Sequence, residues 1–366
     1  MTKPIALYDL SYQELAELLA SWGEPRFRAA QVWGWLYRSL VEDVDQMKNL
    51  PRPLRERLAA ETVLSLLEPV AAQESLSGET RKVLFRLADG NTLESVLMLY
   101  EERRTACISS QVGCGMACTF CATGQGGLAR NLTSGEIVAQ VLYFARGLRA
   151  VEIERAAAAG DRARLDEQPV TNLVFMGMGE PLANYAATVK AIETLGDERG
   201  YNLGARRVTV STVGLAPGIR RLSEEGVPVN LAVSLHAADD ELRSRLVPVN
   251  KRYPLDELLP VVREYAAKTG RRVTIEYALI DGVNDSVEQA RRLAALLEGL
   301  LCHVNLIPLN PTPGVALQPS PRETVDAFRS ELERAGIAAT VRMRRGIDIE
   351  AGCGQLRRRE AGESPR

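Results

Sequence analysis

The chain has 366 residues, 46% of them apolar, and a formal net charge of -2. This length predicts one large domain with an accessory piece, and the near-neutral charge excludes nucleic-acid binding driven by global charge. No apolar run approaches the ~20 residues of a membrane span, so we expect no membrane insertion. Six cysteines in so long a chain, without an apolar leader, exclude a secreted disulfide framework and predict a cytoplasmic protein.

A helical pattern extends from residue 8 to about residue 70. Ser11 and Glu14 have the spacing of a capping box, which begins a helix ahead of a leucine-rich run. The next predicted helix has Trp33 on its apolar side. We expect Trp33 to pack in a core, and base stacking by Trp33 and Trp35 is the alternative.

A β-hairpin follows the helical region. From Lys82 the apolar period changes to two, and it continues beyond the turn at 89–91, whose Asp-Gly-Asn sequence favours a tight reversal. Glu94 lies just after this turn.

Beyond residue 100, short β-branched runs alternate with amphipathic stretches. This alternation predicts a parallel sheet, and about six repeats predict an α/β fold with a partial (β/α)6 barrel. The predicted strands are 105–109, 170–176, 208–211, 229–235, 273–279, 304–309 and 339–343. The predicted helices include 134–145, 186–195 and 287–300. The stretch 149–168 has no β pattern and is expected to be an exposed helix or loop.

The chain is therefore expected to have four parts. These are a small helical domain (1–75), a β-hairpin extension (76–100), the core barrel (101–345) and a C-terminal tail (346–366).

Cys114, Cys118 and Cys121 form a C-x3-C-x2-C run. Three thiolates at this spacing can hold three irons of a 4Fe-4S cluster and leave the fourth iron open to a small molecule. A zinc knuckle would need a fourth ligand at matching spacing, and His236 and His303 lie far away in the sequence. We therefore predict an iron-sulfur cluster.

Polar residues follow several predicted strands. Gly179 and Glu180 come after strand 170–176, where a carboxylate suits a cationic amine and the glycines permit close approach of a ligand. The other strand-end residues are Ser211, Ser234, Leu235, His236 and Asn310. Strand-end capping is the alternative role for each residue. Strands that end in polar groups at one edge favour a shared ligand site.

Two further cysteines lie outside the run. Cys107 lies in a predicted strand, where a buried structural thiol is the alternative to a reactive one. Cys353 stands between two glycines, which predict a mobile thiol, and a disordered tail residue is the alternative. Three arginines upstream would favour its thiolate: Arg342, Arg344 and Arg345.

Together these motifs resemble those of the radical S-adenosylmethionine (SAM) enzymes that methylate C2 of adenine in both ribosomal and transfer RNA. The cysteine run, with Phe120 before its last cysteine, resembles the radical SAM signature. The narrower resemblance depends on the spacing of Cys107 from the run, the Met-Gly-Met-Gly-Glu-Pro strand end, and the segments 234–237, 305–311 and 351–356. The resemblance covers essentially the whole chain. The stretch 149–168 is longer than in that family, and it contains none of these motifs.

The resemblance implies a role for each candidate residue. Cys114, Cys118 and Cys121 would hold the cluster. SAM would be bound by Gly179, Glu180, Ser211, Ser234, Leu235, His236 and Asn310. One SAM would methylate Cys353, and a second would yield the radical that lets this methyl group add to C2. Glu94 would take the C2 proton, with Cys107 as the alternative acceptor, and Cys107 would then attack Cys353 to leave a transient disulfide.

The resemblance also implies partners and leaves alternatives. The partners are 23S ribosomal RNA, transfer RNAs methylated at the adenine next to the anticodon, and an electron donor such as a flavodoxin or ferredoxin. The helical domain would dock RNA, and we expect a monomer. The nearest alternative is the sister family that methylates C8 of the same ribosomal adenine and confers antibiotic resistance. A radical SAM maturase of peptides or cofactors and a non-enzymatic iron-sulfur RNA-binding protein are more distant alternatives.

Overall fold

The structure, a computed structural model, describes residues 4–163, 167–312, 315–342 and 345–356. The helices are α1 (Tyr12–Ser21), α2 (Phe27–Tyr37), α3 (Arg52–Glu61), α4 (Ala122–Gln125), α5 (Ser134–Ala159), α6 (Tyr185–Gly196), α7 (Ala216–Glu224), α8 (Asp240–Leu246), α9 (Leu255–Thr269), α10 (Val287–Leu297) and α11 (Arg322–Arg334). The strands are β1 (Ile5–Ala6), β2 (Thr62–Val63), β3 (Leu67–Glu74), β4 (Thr80–Leu87), β5 (Thr92–Leu99), β6 (Arg104–Cys107), β7 (Gln111–Gly113), β8 (Leu128–Asn131), β9 (Asn172–Phe175), β10 (Val208–Thr212), β11 (Asn230–Ser234), β12 (Val273–Leu279), β13 (Cys302–Pro308) and β14 (Ala339–Val341).

Within the described residues, ten strands form one open sheet in the order β14-β13-β12-β11-β10-β9-β6-β5-β4-β3. Neighbouring strands from β6 through β9 to β14 are parallel, and helices connect most of them. The α/β fold with a partial barrel is thereby confirmed. Parallel strands direct their carboxyl ends to one edge, which positions the site. The predicted strand 339–343 is observed as β14, and Met343 lies outside the described residues.

The N-terminal helices bury their apolar side chains in the same core as the large sheet. The predicted capping box is present, because Glu14 N donates to Ser11 Oγ and Ser11 N donates to Glu14 Oε2. Trp33 is 1% exposed and packs against Tyr12 and Tyr37, which confirms its core role.

The helical expectation is wrong beyond α3, where the chain forms β2 and then β3. Most side chains of β3 are exposed or half-buried, so this edge strand has no strong apolar period. Its backbone pairs antiparallel with β4, and that pairing stabilises it as a strand.

The predicted hairpin is formed by β4 and β5, and it continues the sheet instead of standing apart from it. One of its faces packs on α5, where Ser95 Oγ donates to Gln140 Oε1 at 2.6 Å. On the opposite face Thr80 lies against Gly346, where a Cβ would be 2.7 Å from Thr80 Cγ2. The hairpin therefore separates α5 from the segment 345–356.

The stretch 149–168 begins as part of α5, which extends to Ala159 and ends at Gly160 in a left-handed conformation. The expectation of an exposed helix or loop is met in the described residues of this stretch. No helix among the described residues combines the length and apolar character required to cross a bilayer.

Candidate active site

A cavity of about 150 Å³ lies at the carboxyl ends of the parallel strands. The strand-end residues that line it are Gly179, Glu180, Ser211, Ser234, His236 and Asn310. The three cysteines of the run line the same cavity. Leu235 does not line the cavity, and its side chain is fully buried at 0% exposure.

The cysteine run occupies a tight loop between β7 and β8, which pair antiparallel. Gly113 has a φ of +78°, and a Cβ there would lie 1.9 Å from the Gly127 carbonyl oxygen, so glycine is required. Cys114 N donates to that oxygen at 2.9 Å, and Cys121 N donates to the Cys118 carbonyl at 3.2 Å. These bonds fix the loop on which all three thiols lie.

The thiols of this loop suit a charged inorganic cluster. Burial raises the pKa of Cys114 to about 12 and raises that of Cys118 as well. Metal ligation deprotonates such thiols and would offset the penalty. Among the described residues no group of three or more His, Cys, Asp or Glu side chains is arranged to hold a single metal ion. Three thiols on one cavity wall fit a cluster that places several irons between them.

Glu180 presents a buried carboxyl group to the cavity. It is 2% exposed, and its oxygens accept hydrogen bonds from Leu182 N at 3.0 Å and Val213 N at 2.8 Å. Burial raises the pKa of Glu180 to about 7, although these hydrogen bonds oppose the shift. A bound ammonium group would favour the ionised form.

Gly179 is needed for packing more than for ligand approach. Its φ is +102°, and a Cβ there would lie 2.6 Å from the Gln111 side chain. Gln111 Oε1 in turn accepts a hydrogen bond from Glu180 N at 2.8 Å. The glycine thus lets the chain after β9 lie against β7, and this contact positions Glu180.

We expect the free energy of unfolding of the cluster-free protein to fall as the pH rises from about 5 to about 7. The folded pKa of Glu180, about 7, lies above its ordinary value of 4.5. The protonated carboxyl stabilises the fold below the unfolded pKa, and this stability is lost as the pH rises through the folded pKa. The loss should be on the order of 3 kcal/mol, at ~1.36 kcal/mol per pKa unit.

Urea denaturation at pH 5 and pH 8, followed by circular dichroism, measures this difference. Glu180→Gln should remove most of it, and Glu193→Gln, a change of an exposed glutamate on α6, should retain it. An unchanged pH dependence in Glu180→Gln would contradict the prediction.

His236 connects the cysteine loop to the end of β11. Its φ of 61° lies in the left-handed region, and its Nδ1 accepts a hydrogen bond from Ala278 N at 2.9 Å. Burial, with the nearby Arg243 charge, lowers the pKa of His236 to about 3, so the ring is neutral. Phe120 packs edge-on against this ring with centroids 4.9 Å apart. The aromatic residue of the cysteine run therefore helps to hold the loop against the sheet.

The segment that contains Cys353 is anchored by main-chain hydrogen bonds. Asn310 Nδ2 donates to the Cys353 carbonyl at 3.1 Å, and Ala122 N donates to the Gly354 carbonyl at 2.8 Å. The segment was predicted to be mobile, and these two bonds are its anchors in the structure. Asn310 Oδ1 is buried without a hydrogen-bond partner in the described part of the chain, so it can accept a bond from a ligand.

Cys107 and Cys353 line one cavity, and Cys353 also lines the larger cavity with the cysteine run. Both are free thiols in this structure. Burial raises the pKa of Cys107 to about 12, and the neighbouring Cys353 adds to the shift. The structure therefore brings together two cysteines that are distant in sequence.

Of the three arginines expected near Cys353, Arg342 is the one that lines both cavities. Its positive charge lowers the pKa of Cys107, against the effect of burial. Arg345 instead pairs with Glu79 at 2.6 Å, and Arg344 lies outside the described residues.

Glu94 is the third residue of β5 and lies beside these cavities without lining either. It is 1% exposed, and its Oε1 lies 3.4 Å from Lys82 Nζ. Lys82 Nζ also donates to the Glu350 carbonyl at 3.2 Å. The proposed proton acceptor is thus a buried carboxylate paired with a lysine.

Two further residues near the site, Lys82 and Glu276, were not predicted from the sequence. Glu276 lines the larger cavity, and its side chain accepts a hydrogen bond from Asn305 Nδ2 at 2.7 Å. Burial raises the pKa of Glu276, and the Arg342 charge opposes this. A single acid within the apolar strand 273–279 was the available signal.

Comparisons with known proteins agree with this geometry. Residues 108–294 match the model of the radical SAM superfamily, and residues 5–64 match that of the ribosomal RNA large subunit methyltransferase N-terminal domain. A probable dual-specificity RNA methyltransferase RlmN of Roseiflexus sp. is 50% identical, over 96% of this chain and 95% of that protein. Its counterpart in Chloroflexus aurantiacus is 54% identical, over 96% and 92%. A crystal structure of a radical SAM methyltransferase from Sphaerobacter thermophilus superposes with a TM-score of 0.89 at 54% identity, covering 97% of this chain and 99% of that one.

Proposed function

The chain belongs to the dual-specificity RNA methyltransferases of the radical SAM superfamily, and from this premise we propose that it methylates C2 of adenine in 23S ribosomal RNA and in transfer RNA. The observation that carries the proposal is the shared cavity of Cys107 and Cys353, which adjoins the cavity of the cysteine run. Adenine C2 is an electron-poor carbon without a lone pair, so polar transfer of a methyl cation to it is unfavourable. A methyl carrier on the protein, activated by radical chemistry, removes this obstacle.

The cofactors of this superfamily are SAM and a 4Fe-4S cluster, and the cavity offers groups for both. Cys114, Cys118 and Cys121 would hold the cluster by their thiolates. Glu180 would accept hydrogen bonds from the SAM ammonium group, and the unpaired Asn310 Oδ1 offers a further acceptor. When bound, these cofactors supply the methyl group and the hydrogen-abstracting radical that the reaction needs.

Three residues of the chain would each carry out one of the remaining steps. Cys353 Sγ would carry the methyl carbon and, after addition to C2, join the enzyme covalently to RNA. Glu94 would accept the C2 proton, and the one electron that the radical adduct must also lose at this stage would return to the bound cofactors. Cys107 Sγ would then attack Cys353 Sγ, so that the bond from sulfur to the transferred carbon breaks and a Cys107-Cys353 disulfide forms. The carbon keeps the bond electrons and takes a proton, which leaves a methyl group on C2.

The finer assignments follow the same proposal. Helices α1 to α3 would dock RNA, Ser211, Ser234 and His236 would contact SAM, and Leu235 would contribute through its backbone. An external electron donor such as a flavodoxin or ferredoxin would reduce the cluster, and a thiol reductant would reopen the disulfide. We propose a cytoplasmic monomer.

Nucleoside analysis tests the site of methylation. We expect 2-methyladenosine after anaerobic cluster reconstitution and incubation with SAM, reductant and unmodified 23S ribosomal RNA or transfer RNA, detected by mass spectrometry against standards. Formation of 8-methyladenosine instead would assign the chemistry of the sister family. SAM cleavage without any methyladenosine would contradict an adenine substrate in these RNAs.

A further inference from the structure

Lys82 joins the proposed proton acceptor to the segment that contains Cys353. Its Nζ lies 3.4 Å from Glu94 Oε1 and donates to the Glu350 carbonyl at 3.2 Å. Lys82 is only 2% exposed. A lysine is seldom buried to this extent unless it is paired, because the ammonium group loses most of its hydration. The position of Lys82 therefore depends on both oxygens.

The strand register places Lys82 in one row with Cys107. Lys82 pairs with Val96 on β5, and Val96 pairs with Cys107 on β6. Cross-strand partners share a face of the sheet, as do residues two apart on one strand. Glu94, two residues before Val96, is on this face too. Because Val96 and Cys107 line the cavity that contains Cys353, the face borders that cavity.

The backbone at Glu350, whose carbonyl accepts the hydrogen bond from Lys82, is constrained. Glu350 has a φ of 51°, in the left-handed region that residues with a side chain seldom adopt. The hydrogen bond from Lys82 is one of the contacts that fasten it. The buried ion pair and the turn before Cys353 are thus held by one ammonium group.

We infer that Lys82 is a positioning residue for the release half of the reaction: it orients the Glu94 carboxylate toward the C2 proton and ties that carboxylate to the segment carrying Cys353. This inference rests on the proposed function. Release of the product requires Glu94 and Cys107, which share the face with Lys82. Methylation of Cys353 requires neither of them.

The two halves of the reaction can be separated because the Cys353 segment has anchors besides Lys82. Asn310 holds the Cys353 carbonyl and Ala122 holds the Gly354 carbonyl. Without the Lys82 ammonium these bonds remain, so Cys353 stays in the larger cavity. Removing Lys82 should therefore spare methylation of Cys353 and slow the release of RNA.

The test compares Lys82→Met with Arg81→Met. Methionine preserves the length of the side chain and removes its charge, and Arg81 is the exposed neighbour on the opposite face of β4. Three quantities are measured on the reconstituted full-length enzyme with SAM and ribosomal RNA. These are the mass of methylated Cys353 in the absence of RNA, the covalent enzyme-RNA adduct on denaturing gels, and the rate at which methylated RNA is released.

For Lys82→Met we expect Cys353 methylation within about twofold of Arg81→Met, an accumulated adduct, and release slowed by roughly 10- to 100-fold, a part of what a general base contributes. A second comparison asks whether Lys82 acts through Glu94. The double variant Lys82→Met with Glu94→Gln should release RNA no more slowly than Glu94→Gln alone.

Release at the Arg81→Met rate would overturn the inference, as would a parallel loss of Cys353 methylation and release, or additive losses in the double variant. If Lys82→Met does not fold, Lys82→Gln replaces it, since glutamine keeps a donor for the Glu350 carbonyl. Slow release by that variant supports the inference, and normal release overturns it. A wild-type enzyme that forms neither methylated Cys353 nor adduct would refute the proposed function itself.

Discussion

Cys353→Ala should abolish RNA methylation and leave a slow cleavage of SAM in place. The change removes the sulfur that would carry the methyl group. It leaves the cysteine run and Glu180, which line the larger cavity, untouched. Methylated nucleosides are measured by mass spectrometry, and 5'-deoxyadenosine is measured by chromatography of the same reactions.

The structure indicates that Cys353→Ala will keep its local fold. The segment is anchored through its carbonyl groups, to Asn310 at Cys353 and to Ala122 at Gly354, and alanine retains both bonds. Cys302→Ala is the matched control, because Cys302 begins β13 at the end away from the site and lines neither cavity. Methylated RNA from Cys353→Ala would show that the methyl group does not pass through this sulfur.

Cys107→Ala should trap the enzyme on its RNA. Cys353 would still be methylated and would still add to C2, but no thiol would remain in the smaller cavity to attack Cys353 Sγ. We expect a nearly stoichiometric covalent adduct on denaturing gels and almost no free methylated RNA. Cys302→Ala should release its product as the wild type does. Free methylated RNA released from Cys107→Ala at a normal rate would contradict the role of this cysteine.

The resting state of Cys107 supports this division of roles. Burial raises the pKa of Cys107 to about 12, so the thiol is protonated near neutral pH and is a poor nucleophile. Attack on Cys353 Sγ therefore requires that Cys107 first lose its proton.

The sequence alone predicted those parts of the fold whose signals are local. Strand β12 has the predicted bounds, 273–279, because a β-branched run lies between a glycine turn and a loop. The hairpin turn was predicted from Asp-Gly-Asn, and Asn91 N indeed donates to Asp89 Oδ1 at 3.0 Å. The cysteine run and the strand-end residues were found because their chemistry follows from residue type and spacing.

Features that depend on contacts between residues far apart in the chain could not be predicted from the sequence. Strand β3 has no apolar period of its own and exists through its pairing with β4. Lys82 resembles any lysine in a hairpin, and its burial depends on Glu350, which lies 268 residues further along the chain. The anchoring of the Cys353 segment could not be predicted either, because it depends on hydrogen bonds from Asn310 and Ala122, which are distant in sequence.

The row of residues across β4, β5 and β6 requires a fixed strand register in this part of the chain. Adding one residue inside β5 ahead of Glu94 would turn its side chain from the sheet face that borders the cysteine cavity to the face that packs on α5. The turn at 89–91 and the segment after α5 lie outside these strands, so their length does not affect the register. Changes of length in this lineage should therefore gather in those loops, while strands β4 to β6 keep a fixed count of residues.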